Sequence, residues 1–375
     1  MKIGYDAKRA FENQTGLGNY SRDLINTYSL LNPKFQILLF ASKVFQNKRL
    51  DFLKSRYNIK IVKPKNFFYQ FFQSIWRSFG ILIDLKKEKV DIFHGLSHEI
   101  PFGIDKTKIK TVVTIHDLIF LRLPQYFNIF DRLIYYYKVK YACKRSDKII
   151  AISNQTKSDI MKYFKIDSKK IEVVYQSCNS IFKSQKKNIT KKDLGLPKNY
   201  ILYVSSIEER KNLLTLIKAL NIMKSKNLVV IGDGKGYKEK CVDYIKKNNL
   251  QKRIYFKHNL NLEEIAIAYR NASILVYPSI YEGFGIPILE ALYSKIPVIT
   301  TKGGCFEEAG GTHTKYVNTK NTDEIVSAIK EIEDNPDIRK EMIDNGYAHA
   351  KTFCDKSVNK KLNNIYSDLV NESRS

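Results

Sequence analysis

Several things are scarce in this 375-residue chain, and each absence removes a class of protein. No apolar run approaches the roughly 20 residues needed to cross a bilayer. The opening MKIGYDAKRA reaches Asp6 and Lys8 with neither the apolar core nor the small-residue cleavage site of a secretory signal. A protein that stays in the cytoplasm is therefore expected. The five cysteines (Cys143, Cys178, Cys241, Cys305, Cys354) are odd in number, far apart, and without CxxC or Cys/His spacing. That excludes a disulfide framework and a zinc site, and leaves reduced, mostly buried thiols. No Asp-x-Asp pair occurs, so no metal-binding residues are expected, and no RNA-recognition or helix-turn-helix signature points to nucleic acid as a partner.

What is present is an ordinary globular composition with an unusual charge. Apolar residues at 43% and charged residues at 27% exclude a disordered chain, and the length suits two domains with a core each. Lys and Arg number 64 against 38 Asp and Glu, a net charge of +26. Residues 1–187 hold 35 basic and 15 acidic residues, so the first half carries +20 and the rest only +6. A field of that sign attracts polyanions without choosing among nucleic acid, anionic lipid headgroups and phosphate-bearing substrates. An AT-rich genome that favours Lys, Asn and Ile codons would produce the same excess on solvated surfaces.

Short β-branched runs alternate with amphipathic stretches through the first half, at residues 2–5, 36–40, 59–62, 91–93, 111–115, 148–152 and 171–174. A polar, charged stretch over residues 183–199 reads as a linker. A second series follows at residues 200–204, 228–231, 253–256, 273–276 and 297–300. Alternation of this kind predicts α/β architecture with parallel sheets, and ligands then sit beyond the carboxyl ends of the strands.

Residues 278–292, PSIYEGFGIPILEAL, lie just beyond one such strand. Gly283 and Gly285 flank Phe284 directly before a helix, where free N–H groups and the helix dipole favour phosphate, and Pro287 suits a first helical turn. Glu290, one turn in, could accept two ribose hydroxyls, and Glu282 could accept hydroxyls of a sugar. A plain strand-to-helix turn with solvated glutamates is the simpler alternative. Residues 205–220, SSIEERKNLLTLIKAL, place Arg210 and Lys211 at a helix start, where cations oppose the dipole by a few tenths of a kcal/mol each, roughly. An anion such as a diphosphate would justify them, with Arg forking two oxygens and Lys supplying a point charge. Gly232 and Gly234 in VVIGDGKGY lack dinucleotide-fingerprint spacing and read as turn glycines near a base.

In the first half, His116 with Asp117 and His94 with Gly95 each follow a strand directly. Either histidine could meet a substrate or serve as a satisfied structural residue. Gly16 and Gly18 in TGLGNYSRDL open a helix and could let a sugar or phosphate approach the backbone. Residues 65–80 and 131–145 mix aromatics with Lys and Arg; such helices either pack on the core or lie on an anionic membrane.

Taken in order, these motifs resemble glycosyltransferase family 4, typified by bacterial mannosyl- and other hexosyltransferases of polysaccharide and lipopolysaccharide assembly. EGFGIPILE is similar to that family's Glu-x7-Glu element and SSIEERKN to its Gly-x-x-x-x-Arg-Lys-Asn turn, with TGLGNY, TIHDL, RSDKIIAISNQTKSDI and FEEAGG in family order. Two departures stand out: Ser205 or Ser206 where the family usually has Gly, and YQSCNSIF in place of Asn-Gly-Val-Asp.

The resemblance implies a GT-B fold, two Rossmann-like domains with parallel sheets facing across a cleft. Residues 1–185 would form the acceptor side, residues 186–352 the nucleotide-sugar domain, and residues 353–375 a C-terminal helix packing back on the first domain. It implies that Glu290 binds ribose, Gly283, Phe284 and Gly285 approach donor phosphate and sugar, and Glu282 contacts the transferred sugar. Arg210 and Lys211 would hold the diphosphate, with His116 near the reacting sugar, and Gly16 and Gly18 join the donor contacts.

The expected activity is retaining, metal-independent hexosyl transfer, with mannose the leading sugar. The donor would be a GDP- or UDP-sugar and the acceptor a glycan or lipid-linked saccharide, with the protein peripheral on the inner face of the cytoplasmic membrane. No cofactor is expected. Without a metal, the leaving diphosphate must be stabilised by Arg210, Lys211 and helix-start amides, and its departing oxygen can take the acceptor proton in a same-face reaction. A nucleotide-sugar 2-epimerase of the same fold and a non-catalytic polyanion-binding protein are the rival readings.

Overall fold

A computed structural model describes residues 1–45, 48–184 and 194–371. Most of the expected linker, residues 185–193, lies outside the described residues. The chain divides into two units, residues 1–176 with 355–375, and residues 177–354. The first divide thus falls before the 185/186 boundary read from polarity. Arg270 explains part of the difference, since its guanidinium donates to the carbonyls of Ile181 and Ser184 at 2.6 Å each, and the Phe182 ring meets Tyr269 edge-on at 5.5 Å.

Unit 1 holds seven strands, β1 (Lys2–Asp6), β2 (Gln36–Phe40), β3 (Ile59–Val62), β4 (Ile92–Gly95), β5 (Lys110–Ile115), β6 (Lys148–Ala151) and β7 (Ile171–Val173). They pair in parallel in the order β3-β2-β1-β4-β5-β6-β7. Both faces are covered, so the strands are apolar without alternation. Along β2, Leu38 and Phe40 enter one core while Ile37 and Leu39 enter the other. The C-terminal helix Asp355–Asn371 closes the second core with Leu362, Ile365, Tyr366 and Leu369 packed against Ile3, Tyr5, Ile25 and Tyr28. The opposite core takes Trp76, Ile81 and Leu85 from residues 73–87, and Val139, Ala142 and Cys143 from the helix Ile129–Arg145.

Unit 2 holds β8 (Ile201–Val204), β9 (Leu228–Ile231), β10 (Ile254–Lys257), β11 (Ile274–Tyr277), β12 (Val298–Thr301) and β13 (Lys315–Val317), parallel in the order β10-β9-β8-β11-β12-β13. Each sheet reverses its winding direction once, between β1 and β4 in unit 1 and between β8 and β11 in unit 2. Crevices at such switch points, beyond the carboxyl ends, are where α/β sheets hold ligands. The strands match the sequence pattern within a residue or two, except β13, which the pattern missed. Its three residues Lys-Tyr-Val contain one β-branched side chain, and only that one, Val317, is buried at the sheet edge. All five cysteines are free thiols and four are buried, and burial pushes Cys143 and Cys241 up to about 12.

Candidate active site

The switch point of unit 2 gathers four donor side chains around one carboxylate, two of them, Arg210 and Lys211, expected from the sequence. Arg210 and Lys211 leave β8 on a short 3-10 turn (Glu209–Lys211), and Glu282 follows β11. Glu282 Oε1 accepts from Lys211 Nζ, from Arg210 at 3.2 Å, from the Tyr277 hydroxyl at 2.9 Å and from Ser279 Oγ at 2.5 Å. Arg210 also donates to the Tyr281 carbonyl at 2.7 Å and lies 3.6 Å from Glu208. The three charged side chains are 14%, 10% and 12% exposed for Arg210, Lys211 and Glu282.

Sequence reasoning gave the cations to an anionic ligand and Glu282 to a sugar. The structure joins all three, so Glu282 is a counter-charge to both cations. Burial pushes the Glu282 carboxyl up, but Lys211 and Arg210 outweigh it and hold the group below its ordinary value. Tyr277 is driven well up by burial and by the Glu282 charge beside it, so its hydroxyl stays a donor. Two cations meet the Glu282 carboxylate on the inside and the exposed Glu208 carboxylate 3.6 Å from Arg210, so the cluster holds two charges of each sign.

Asn212 completes the turn. Its φ of +57° is a left-handed conformation that Asn tolerates better than most residues, and its amide donates to the Thr319 carbonyl at 2.7 Å. The helix Leu213–Ile222 then carries Leu216, Ile217 and Leu220 into the core.

After Glu282 the backbone turns through Gly283, Phe284 and Gly285 into the helix Ile286–Tyr293, with Pro287 in its first turn. Gly285 caps that helix at φ +106°, a region L side chains rarely adopt, so glycine is required there. The Phe284 ring is buried 5.6 Å from Phe353, so any ligand contact at this position runs through backbone. Glu290 is half-buried and accepts from the Tyr269 hydroxyl at 2.8 Å. Tyr269, Tyr277 and Ser279 were not foreseen; Tyr269 lies outside every motif, whereas Ser279 falls within residues 278–292 and Tyr277 is the last residue of its strand, where such partners are to be expected. Gly232 and Gly234 have an internal reason to be glycine, because a Cβ would stand 1.8 Å from the Ser205 carbonyl oxygen and 2.1 Å from that of Ile207.

In unit 1 the two histidines differ from free ligands. His94 is fully buried, with Nδ1 2.6 Å from the Tyr366 hydroxyl and Nε2 2.8 Å from Thr114 Oγ1. Burial pushes it down to about 3, and its role is to tie the C-terminal helix to β4 and β5. His116 is 4% exposed, its Nε2 2.9 Å from the Leu96 carbonyl and its Nδ1 3.4 Å from the Gln176 amide, with the Tyr20 ring edge-on at 4.6 Å. Burial, and then His98, push it down to about 3. A neutral imidazole that donates from Nε2 to Leu96 is a fixed, uncharged group rather than a poised base. Both folded pKa values lie below the unfolded value of about 6.5, so both histidines withdraw stability as pH falls below that value.

Gly16 and Gly18 open the helix Gly16–Leu31 for different reasons. A Cβ on Gly18 would stand 1.9 Å from the Asn13 carbonyl oxygen, whereas one on Gly16 meets nothing within 4 Å. Gly18→Ala should therefore destabilise unit 1 by about 1–3 kcal/mol through overpacking. Gly16→Ala should leave the melting temperature unchanged, so a loss of activity in that variant would report ligand contact at the site. A Gly18→Ala protein that melts with the wild type would refute the packing account. Among the described residues no three His, Cys, Asp or Glu side chains converge as metal ligands.

Comparison with known proteins places this geometry. Residues 16–179 match the family model described as Glycosyltransferase Family 4, and residues 184–349 match Glycosyl transferases group 1. The chain is 31% identical over 265 residues, 70% of each protein, to the O-antigen chain mannosyltransferase RfbU of Salmonella typhimurium. It is 23% identical over 392 residues, 98% of this chain and 100% of the relative, to O-antigen chain mannosyltransferase B of Escherichia coli. Among solved structures, the Anabaena protein HepE in complex with UDP and glucose aligns over 98% of this chain and 100% of its own with a TM-score of 0.76 at 16% identity, a likeness of fold.

Proposed function

The chain belongs to glycosyltransferase family 4, and from that membership we propose that it moves mannose, with retained configuration, from a nucleoside diphosphate sugar to a glycan or lipid-linked acceptor. It is a glycosyltransferase of GT-B fold. The finer reading rests on the convergence of Arg210 and Lys211 on Glu282 at the unit 2 switch point, together with the mannosyltransferases among its relatives.

In this reading Arg210 and Lys211 meet the charge that grows on the leaving diphosphate, and Glu282 keeps both side chains aimed before the donor arrives. Preorganised charge of this kind needs no reorganisation at the moment of reaction. Glu290, oriented by Tyr269, takes the ribose hydroxyls, and the backbone of Gly283, Phe284 and Gly285 approaches the phosphate and sugar. Gly16 lies at a helix start open to ligand, and His116 lies near the reacting sugar. The departing phosphate oxygen accepts the acceptor proton, so no protein base is required and the diphosphate charge is met without a metal. GDP-mannose is the leading donor, ahead of UDP-hexoses.

The test is transfer from GDP-mannose and from UDP-hexoses to lipid-linked saccharides in EDTA, with the product's anomeric configuration read by NMR. An α-mannoside formed from GDP-mannose supports the reading. Transfer from a UDP-hexose alone, an inverted product, or epimerised sugar with no transfer would each overturn part of it.

A further inference from the structure

Unit 1 carries an apolar surface that the fold does not use. Phe67, Phe71, Ile75, Phe79 and Ile83 recur every four residues and are 72%, 69%, 40%, 56% and 64% exposed. Trp76, Ile81 and Leu85 of the same stretch are buried against the sheet, so the outer stripe is extra to the core. On the helix Ile129–Arg145, the residues Ile129, Phe130, Leu133, Ile134 and Tyr137 are all more than half exposed, while Val139, Ala142 and Cys143 do the packing.

The two stretches adjoin. Arg77 of the first lies 2.6 Å and Lys138 of the second 3.5 Å from the carboxylate of Glu99. Phe79 stacks on Phe102 at 5.3 Å, and Phe102 meets Tyr141 at 4.6 Å. The two stretches therefore meet around Glu99 and Phe102, and each carries its exposed apolar side chains on the same unit. Apolar patches of such extent on a soluble chain mark an interaction face.

Charge decides the occupant. Residues 61–87 contain five Lys or Arg and one acidic residue, and residues 126–145 again five and one. Arg77 and Lys138 are engaged with Glu99, but Lys63, Lys65, Lys86 and Lys87 face solvent beside the stripe. A second copy of this chain would set the same positive rim against itself in a two-fold contact. An anionic bilayer offers an apolar boundary for the rings and negative headgroups for the lysines. Among the described residues no helix is long and apolar enough to cross a membrane, so the contact is one of surface insertion.

We propose that this face of unit 1 seats on an anionic lipid surface, with Phe67, Phe71, Ile129 and Phe130 in the acyl boundary and Lys63 and Lys65 at the headgroups. The proposal stands apart from the donor chemistry, because lipid binding needs no nucleotide. Full-length protein is sedimented with vesicles of phosphatidylcholine alone and with vesicles containing phosphatidylglycerol. The expected partition is roughly tenfold or more higher on the anionic vesicles, and roughly tenfold lower for a variant carrying Phe67→Ser, Phe71→Ser, Ile129→Ser and Phe130→Ser. That variant should keep the wild-type melting temperature and rate of donor hydrolysis. Equal binding to both vesicles, vesicle binding unaltered by the four substitutions, or a lipid-free dimer that the substitutions dissolve would overturn the proposal.

Discussion

Replacing Arg210 and Lys211 together by alanine is expected to lower kcat/KM for sugar transfer by roughly 10³- to 10⁴-fold, since one preorganised donor aimed at a developing anion is worth on the order of 10²-fold or more. The variant carries a second signature, because both cations also neutralise Glu282. In the wild type the folded carboxyl titrates below its ordinary value. Glu282 therefore contributes stability above the unfolded pKa of about 4.3, and that contribution is lost as pH falls through the lower folded value.

Without the cations, burial is opposed only by the hydrogen bonds from the Ser279 and Tyr277 hydroxyls, and the folded pKa is expected to rise above the unfolded one. Glu282 then costs stability at neutral pH, and the cost disappears as pH falls through the raised value. The melting temperature of the variant should thus trail the wild type most near pH 7 and approach it near about pH 4. Other acid-labile groups, His94 and His116 among them, cancel in this difference. Thermal melts of both proteins across that range check the claim, and a deficit independent of pH would count against Glu282 as the internal counter-charge.

Removing residues 355–375 is expected to leave unit 1 unfolded while unit 2 survives. Leu362, Tyr366 and Leu369 are at most 1% exposed and Ile365 is 7% exposed. Burying each such side chain is worth about 1.5–3 kcal/mol, so the four together reach the order of an entire domain's stability, about 5–15 kcal/mol. The deletion also strips His94 of the Tyr366 hydroxyl and Tyr28 of Asn363, its partner at 2.6 Å. An unsatisfied buried polar group costs about 1–3 kcal/mol more. Circular dichroism and limited proteolysis should show one of two cooperative transitions gone and unit 2, residues 177–354, protected. Tyr366→Phe keeps the ring and removes only the hydroxyl, and a fall of about 1–3 kcal/mol is expected from it. A truncated protein that melts like the full chain would show that the helix is dispensable.

How much of this could be read beforehand depends on the distance over which each signal acts. Strand positions were legible because β-branched runs in a doubly covered parallel sheet are local and continuous, as in Val112, Val113 and Ile115 of β5. The short edge strand Lys315–Val317 lacks such a run and escaped. The chemistry-bearing turns were legible too, since glycines and charges directly after a strand mark a switch point. The pairing of Glu282 with Arg210 and Lys211 was not, because 71 and 72 residues separate the partners and no spacing rule connects them.

The glycines show a further limit. Gly18 read as open to a ligand and Gly232 and Gly234 as turn glycines near a base, and each also accommodates a backbone carbonyl of its own unit. Composition alone cannot tell a carbonyl from a phosphate as the reason for a missing Cβ. The exposed stripe at Phe67, Phe71, Ile75, Phe79 and Ile83 was equally ambiguous, because apolar residues all round a helix leave open which face meets the core. Trp76, Ile81 and Leu85 settle that by occupying the core side.

The most direct test of the central claim is calorimetric titration of GDP and UDP in EDTA into the wild type, the Arg210→Ala/Lys211→Ala variant and Glu290→Ala. The account predicts that one diphosphate binds the wild type without metal and that either variant abolishes or severely weakens that binding. Equal affinity in all three proteins, or no binding of any nucleoside diphosphate until a divalent ion is added, would contradict it.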